Sequence, residues 1–228
     1  MLGLVGYESF HRRDLWSRPC RFALFLPEYG AVESSVLRQV WGWPVAISDS
    51  EISRVVGAYL ERYPDEAEAL AEPVRLLPQG QNFAWRRTFP MHVTVGALLV
   101  RGDEILLVDH RAYGIILQPG GHLEPEDATL IGAALRELVE ESGADRATIS
   151  PVSQDPVYIE FGPVPARPAK DEPPHFHLDI GFAFTTMDGD VGRIQESEIT
   201  GAAWYPFPAA ESLVGDRIAR VFRTLVRN

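Results

Sequence analysis

The pattern of hydrophobic and polar positions divides the chain near residue 48. Residues 1–47 contain a short apolar run, 22–26, that favours a strand, and the pattern assigns this extension no role. From Ser48 onward, cap-type residues precede apolar positions that recur at helical spacing, which predicts a helix ending at Pro64. A second helix is predicted over about 65–77, followed by a linker rich in turn residues. Residues 48–88 therefore form a helical prefix.

The pattern from His92 onward is typical of an α/β domain, which we place at 89–228. Runs of β-branched and aliphatic residues alternate with turn signals such as Gly102-Asp103. The predicted strands are 93–100, 104–108, 157–161, 178–185 and 202–205. A long helix is predicted at about 128–142, closed by Gly143, and a last amphipathic helix at about 211–226.

The charge balance argues against nucleic acid as a partner. The chain has 21 Lys plus Arg against 32 Asp plus Glu, a formal net charge of −11, and it has no Lys/Arg-rich run. A field of this sign repels a phosphate backbone. If the substrate is itself anionic, a bound divalent cation is the simplest way to attract it.

Cysteine usage and hydropathy indicate the compartment. Cys20 is the only cysteine, so the chain can form neither an intrachain disulfide nor a thiolate cluster, which fits a reducing cytoplasm. No apolar stretch approaches 18 residues, and the first residues do not have the order of a signal peptide. We therefore expect a cytoplasmic protein with no membrane partner, and a homodimer is left open.

Three carboxylates share one face of the predicted helix 128–142. At 100° per residue Glu137, Glu140 and Glu141 fall within one arc, opposite the apolar positions. Three such groups roughly 6 Å apart repel by about 3 kcal/mol per pair at an effective dielectric near 20, and hard cations take such oxygens as ligands. A lone acidic face is more often simply solvated. Here a glycine-containing loop, 120–125, precedes the helix, and Arg136 could brace Glu140 from one turn away.

These residues resemble a known sequence motif. Gly121 and the run 136–144, Arg-Glu-Leu-Val-Glu-Glu-Ser-Gly-Ala, are similar to the Nudix box, G-x5-E-x7-R-E-U-x-E-E-x-G-U with U apolar. Asp127 stands where the box has its first Glu, and eight residues instead of seven separate it from Arg136. The loop is therefore one residue longer, whereas the helical ligands are intact. The resemblance extends over about 90–228, and the prefix resembles one found in some bacterial Nudix proteins.

The resemblance implies an α/β/α sandwich around a mixed sheet, with a partly helical N-terminal extension. It also implies hydrolysis of a nucleoside diphosphate linked to another moiety, a nucleotide-derived small molecule. Glu137, Glu140 and Glu141 would hold Mg²⁺ or Mn²⁺, with the Gly120 carbonyl as a further ligand and Arg136 as a brace. Glu160 and Glu198 are both candidates to take the proton from water, and that choice stays open.

A second constellation alternates along one predicted strand. His175, His177 and Asp179 would share a face and could bind a metal or contact phosphate. The alternative is the polar outer face of an edge strand. Similar runs in the Nudix proteins favour contact with substrate or metal. Arg167 could reach a phosphate, although solvated loop charges are commoner, and His122 is the other histidine expected to touch ligand.

Two competing functions remain beside the hydrolase. A Nudix-fold sensor or regulatory module would bind a nucleotide without cleaving it, but such a module does not need all three helical glutamates. The isoprenoid diphosphate isomerases that share this fold require an additional catalytic Cys and Glu. Cys20 lies outside the domain, so the isomerase is disfavoured.

Overall fold

A computed structural model describes residues 46–111, 114–187, 192, 194, 199–215 and 217–226. All of them fall within one compact unit. The predicted strand 22–26, Cys20 and the candidate base Glu198 lie outside the described residues. The boundary between prefix and domain at residue 88 stays a prediction. Among the described helices, none has the length and apolar character needed to cross a membrane.

The helical prefix begins as predicted and then departs from the prediction. Helix α1, Asp49–Arg62, starts at Ser48, whose hydroxyl accepts the Glu51 N–H at 3.2 Å. The single helix expected over 65–77 is wrong: a 3₁₀ turn, Pro64–Glu66, precedes helix α2, Ala71–Leu76. Pro73 explains the break, because proline lacks the N–H that a helix interior needs and is tolerated only in a first turn.

Eight strands in the described residues form one mixed sheet. They are β1 Met91–Arg101, β2 Glu104–His110, β3 Ile115–Leu117, β4 Gly120–His122, β5 Ser150–Pro151, β6 Tyr158–Val164, β7 His175–Thr185 and β8 Ile199–Pro206. The main path runs β3-β2-β1-β7-β5, while β4 also pairs with β1, β6 with β7 and β8 with β2. Strands β1 and β7 are parallel along ten residue pairs, and the other pairings are antiparallel.

Helices cover both faces of the sheet, which confirms the expected α/β/α sandwich with a mixed sheet. Alternate residues of β1 point to opposite cores, as with Val95 and Leu98. The first core packs against α1 and helix α3, Leu130–Ser142. The second packs against α4, Phe207–Val214, and α5, Arg217–Val226.

The helix that carries the three glutamates ends where predicted and begins two residues later than predicted. The Thr129 hydroxyl accepts the Gly132 N–H at 3.1 Å, and Gly143 closes α3 with φ +65°. The expected single helix at 211–226 is instead α4 followed by α5. Gly215 separates them with φ +95°, a conformation that helical residues do not adopt. The short strands β3, β4 and β5 were not predicted.

Candidate active site

Two of the three helical glutamates pack against the backbone of β4. Glu141 is 1% exposed, and its Oε2 accepts the Gly120 N–H at 2.9 Å. Glu137 is also buried, and a Cβ added at Gly121 would overlap its carboxylate. Gly121 is therefore needed so that the Glu137 carboxylate can approach β4 this closely, whereas a Cβ at Gly120 would meet the Val95 carbonyl of β1. Two of the three carboxylates of the α3 acidic face are therefore packed, and Glu140 is exposed.

Arg136 organises the carboxylates around it. Its Nη1 donates to Glu137 Oε1 and Glu140 Oε2, each at 3.0 Å, so these two oxygens lie beside the same nitrogen. Its Nε and Nη2 donate to the two oxygens of Asp127 at 3.1 and 3.0 Å, and Nη2 also donates to the His122 carbonyl at 2.9 Å. Burial alone lowers the pKa of Arg136, but the hydrogen bonds to Asp127 and the charge of Glu137 raise it above its ordinary value.

Asp127 compensates for the longer loop. Its buried carboxylate binds Arg136 in a two-pronged arrangement and accepts the Glu124 N–H at 2.7 Å. The extra residue before the helix therefore still leaves a carboxylate against the guanidinium.

The donor set suits a hard divalent cation. Glu137, Glu140 and Glu141 offer oxygens only, the ligand type that Mg²⁺ and Mn²⁺ take. Arg136 engages one oxygen of Glu137 and one of Glu140, so it braces these side chains without surrounding them. The absence of a side chain at Gly121 gives the Glu137 carboxylate its room beside β4. The residues present fit the ion that the sequence implies.

A cavity of about 970 Å³ is lined by Gly120 and Gly121, the two glycines against which Glu141 and Glu137 pack. Its lining is rich in cationic side chains, although the whole chain has a net charge of −11. These are Arg86, Arg111, Arg167, Lys170, Arg217 and Arg220. A local concentration of positive charge of this kind attracts anionic ligands against the field of the whole protein.

Glu160 lies in the cavity wall beside Arg217. Arg217 Nη2 donates to Glu160 Oε2, and the same guanidinium lies 4.0 Å from Asp179. Burial raises the pKa of Glu160 above its ordinary value, the charge of Asp179 raises it further, and Arg217 opposes both. The charge of Arg220 also lowers the pKa, so two arginines limit the basicity of Glu160.

Tyr158 lies across two glycines on neighbouring strands. Gly96 of β1 pairs with Gly181 of β7, which pairs with Tyr158 of β6. A Cβ at Gly181 would overlap the Tyr158 ring, and a Cβ at Gly96 would overlap its hydroxyl. The phenol accepts from Gln118 Nε2 at 2.9 Å and donates to Asp179 at 2.8 Å. This chain of hydrogen bonds ties together three segments of the cavity wall.

Comparison with known proteins assigns the family. A family model described as the NUDIX domain matches residues 90–225, more than half of the chain. The chain belongs to this family. It is therefore a Nudix hydrolase, an enzyme that acts on phosphorus-containing anhydrides.

The individual relatives share a quarter or less of their aligned residues with this chain. A "Probable DHNTP pyrophosphohydrolase" of Lactococcus lactis is 25% identical over 135 residues, which cover 58% of this chain and 74% of the relative. The solved Nudix hydrolase from Nitrosomonas europaea is 25% identical with a TM-score of 0.43, over 59% of this chain and 88% of that one. A C. elegans Ap4A hydrolase structure is 17% identical with a TM-score of 0.48, over 60% of this chain and 98% of that one.

The α3 carboxylates with Arg136, taken together with the cavity, include most of the residues singled out from the sequence. His122, Glu160, Arg167, His177 and Asp179 line the cavity. His175 is buried and is not among the described lining residues.

The suggested edge strand is wrong, because β7 lies between β1 and β6. Asp179 shares the strand face of the histidines, but its carboxylate accepts from Thr94 at 3.1 Å and from Tyr158.

Sequence reasoning missed several residues that line or support the cavity. Gln118, Arg217 and Arg220 line it, and Tyr158 links its walls. The glycines inside predicted strands were the available signal for Tyr158, since a glycine in a strand interior often marks the close approach of another group. Arg217 and Arg220 lie in the last amphipathic helix, and the sequence does not indicate which part of the fold that helix packs against.

Proposed function

We propose that this Nudix hydrolase uses Mg²⁺ or Mn²⁺, held by Glu137, Glu140 and Glu141, to hydrolyse a diphosphate bond. The substrate is a nucleoside diphosphate linked to another moiety, bound in the cationic cavity. One observation carries the proposal: Gly120 and Gly121, against which Glu141 and Glu137 pack, line a cavity whose wall carries, among the described residues, six cationic side chains. An anionic substrate in that cavity would have its phosphates near the ion.

The cavity also supports the class of substrate. Its volume lies within the roughly 300–1,000 Å³ typical of small-molecule sites. Apolar side chains, including Ile115, Ile159 and Phe161, line it alongside the cationic ones. A nucleotide-derived compound presents one apolar ring and several anionic oxygens, which matches this mixture. The similarity to a probable DHNTP pyrophosphohydrolase adds a pterin triphosphate to the compounds worth testing.

Each part of the site has a separate task in this proposal. A divalent cation held there would supply Lewis-acid activation of water and would offset charge on the diphosphate oxygens. Arg136 keeps Glu137 and Glu140 in one orientation, so the ligand oxygens are arranged before the ion binds. Glu160 is the candidate for accepting a proton from water, because burial raises its pKa toward neutrality. Glu198 is the other candidate.

The test is a screen of nucleoside diphosphate derivatives with the purified full chain, with and without Mg²⁺ or Mn²⁺. We expect turnover only with the ion. We expect Glu140→Gln and Glu141→Gln each to lower kcat at least about a hundredfold. Glutamine keeps the size and one acceptor oxygen, so the Gly120 N–H retains a partner. Circular dichroism of each variant checks that the fold is unchanged.

Glu61→Gln is the matched control, since Glu61 is an exposed carboxylate on α1 outside the site. It should leave turnover unchanged. Equal turnover in Glu140→Gln, Glu141→Gln and the control would reject the assignment of the metal ligands. Tight binding of a nucleotide with no turnover in any metal would instead favour a sensor.

A further inference from the structure

Four imidazole rings meet where β1, β4 and β7 lie side by side. Parallel pairing places His92 of β1 directly opposite His177 of β7, and His122 of β4 lies opposite Thr94. The His92 ring centroid is 4.8 Å from that of His175, 4.6 Å from His177 and 5.1 Å from His122. The Asp179 carboxylate accepts hydrogen bonds from Thr94 and Tyr158 instead, so the groups that meet here are all imidazoles.

The ring nitrogens of three histidines point toward a common space. We call His92, His175 and His177 the histidine cluster. One nitrogen from each lies within 4.8 Å of the other two. His175 Nε2 and His177 Nε2 are 3.2 Å apart. Within the described residues, His92 Nε2 is buried and has no hydrogen-bond partner. A buried imidazole nitrogen without a partner is costly unless something else occupies that side of the ring.

Backbone carbonyls fix which nitrogens are available. His175 Nδ1 lies 2.7 Å from the Pro173 carbonyl, so Nδ1 carries the proton and Nε2 presents a lone pair. His92 Nδ1 faces the Thr88 carbonyl at 3.4 Å, which favours the same tautomer. This is the arrangement that orients histidines as metal ligands: one nitrogen held by the protein and the other directed at the ion.

The spacing of the ring nitrogens also suits a cation. At Zn–N distances of about 2.0–2.1 Å, two nitrogens of a tetrahedral site lie about 3.3–3.4 Å apart. The 3.2 Å between His175 and His177 already matches this spacing, and His92 needs a shift of about an ångström.

We propose that His92, His175 and His177 form a second metal site, distinct from the carboxylates of α3, that takes Zn²⁺ or a similar transition-metal ion. Imidazole ligands suit Zn²⁺ and its neighbours and disfavour Mg²⁺, so the two sites select different ions. His177 and His122 line the cavity, so the ion is reached from there. The proposal does not depend on the proposed hydrolysis.

The test uses the full chain, stripped with EDTA and titrated with Zn²⁺ against a chromogenic chelator in a large excess of Mg²⁺. We expect one Zn²⁺ per chain that Mg²⁺ does not displace. Loss of an outer-shell partner already costs about 10–100-fold in metal affinity, so His92→Ala and His175→Ala should each cost at least about a hundredfold. His110→Ala is the matched control, because His110 is outside the cluster, and it should bind Zn²⁺ like the wild type.

Glu140→Gln separates the two sites. This variant should lower turnover at least about a hundredfold and keep the Zn²⁺ affinity. Loss of Zn²⁺ binding in it would assign the ion to α3 and overturn the proposal. Unchanged affinity in His92→Ala and His175→Ala would also overturn it. No Zn²⁺ binding by the wild type would show a purely hydrogen-bonded cluster. If the histidine variants fold poorly, X-ray absorption of the Zn²⁺-loaded wild type decides: imidazole ligands support the site, and oxygen ligands alone refute it.

Discussion

Replacing Arg136 with alanine would leave several carboxylates without their shared cation. Two of them are nearly buried, with side-chain exposures of 7% for Asp127 and 10% for Glu137. Removing one partner of a buried ion pair costs about 3–5 kcal/mol, because the remaining charge loses its compensation. Glu140 is 45% exposed and Glu124, at 3.9 Å, is 56% exposed, so water screens both and they add little.

We therefore expect Arg136→Ala to lower the free energy of unfolding by about 3–5 kcal/mol. The measurement is urea unfolding followed by far-UV circular dichroism at pH 7. EDTA is present throughout, so that no cation replaces the guanidinium. Arg54→Ala, an exposed arginine on α1, serves as the matched control and should change stability by less than about 0.5 kcal/mol.

A double-mutant cycle isolates the pair. Asp127→Asn keeps the shape and an acceptor for the Glu124 N–H but removes the charge. In the double variant no buried charge remains at Asp127, so the loss should be smaller than the sum of the two single losses by about 1–3 kcal/mol. Additivity within about 0.5 kcal/mol, or a loss below about 1 kcal/mol for Arg136→Ala alone, would refute the view that Arg136 holds this group of carboxylates together.

Three further changes probe the site. Gly121→Ala would place a methyl group against the Glu137 carboxylate of α3, and we expect turnover to fall at least tenfold (about 1.4 kcal/mol). Gly57→Ala, in open space on α1, should keep turnover and raise the free energy of unfolding by about 0.5–1 kcal/mol in urea. Equal turnover in the two variants would contradict the packing at Gly121. Because burial raises the Glu160 pKa, wild-type kcat/KM should fall as pH drops through that raised value. Glu160→Gln should remove this limb, Arg217→Gln should move it to higher pH, and an unchanged limb in both would exclude this base. Tyr158→Phe breaks two buried hydrogen bonds and should cost about 1–3 kcal/mol in thermal or urea unfolding, so a neutral result would argue against the linkage across the cavity wall.

Local signals account for what was predicted from the sequence. Helix α3 was placed to within two residues because its two signals, the helical spacing of apolar residues and the closing Gly143, both lie within that segment. The three glutamates were singled out from the same short stretch, and so was the glycine-containing loop before the helix. Asp127 was proposed to replace the usual Glu, and Arg136 was proposed to brace Glu140. Both proposals also depend on residues that are close together in sequence.

What escaped prediction depends on pairing between distant segments. His92 was interpreted as a structural histidine, since only the parallel register of β1 against β7 brings it beside His177. Such a register is set by tertiary packing and not by the residues of either strand alone. The break at Gly215 was equally hidden, because a single glycine inside an amphipathic pattern is tolerated in many helices.

The prefix supplies one wall of the cavity. Glu66 and Leu70 line it, and Glu66 also accepts the Tyr59 hydroxyl at 2.8 Å and pairs with Arg220 of the last helix at 2.6 Å. A polypeptide cut at residue 89 would retain the entire family signature and lose this wall. Residues inside and outside the match to the family thus both shape the space that receives the ligand, and a relative could keep the family signature while changing this one wall.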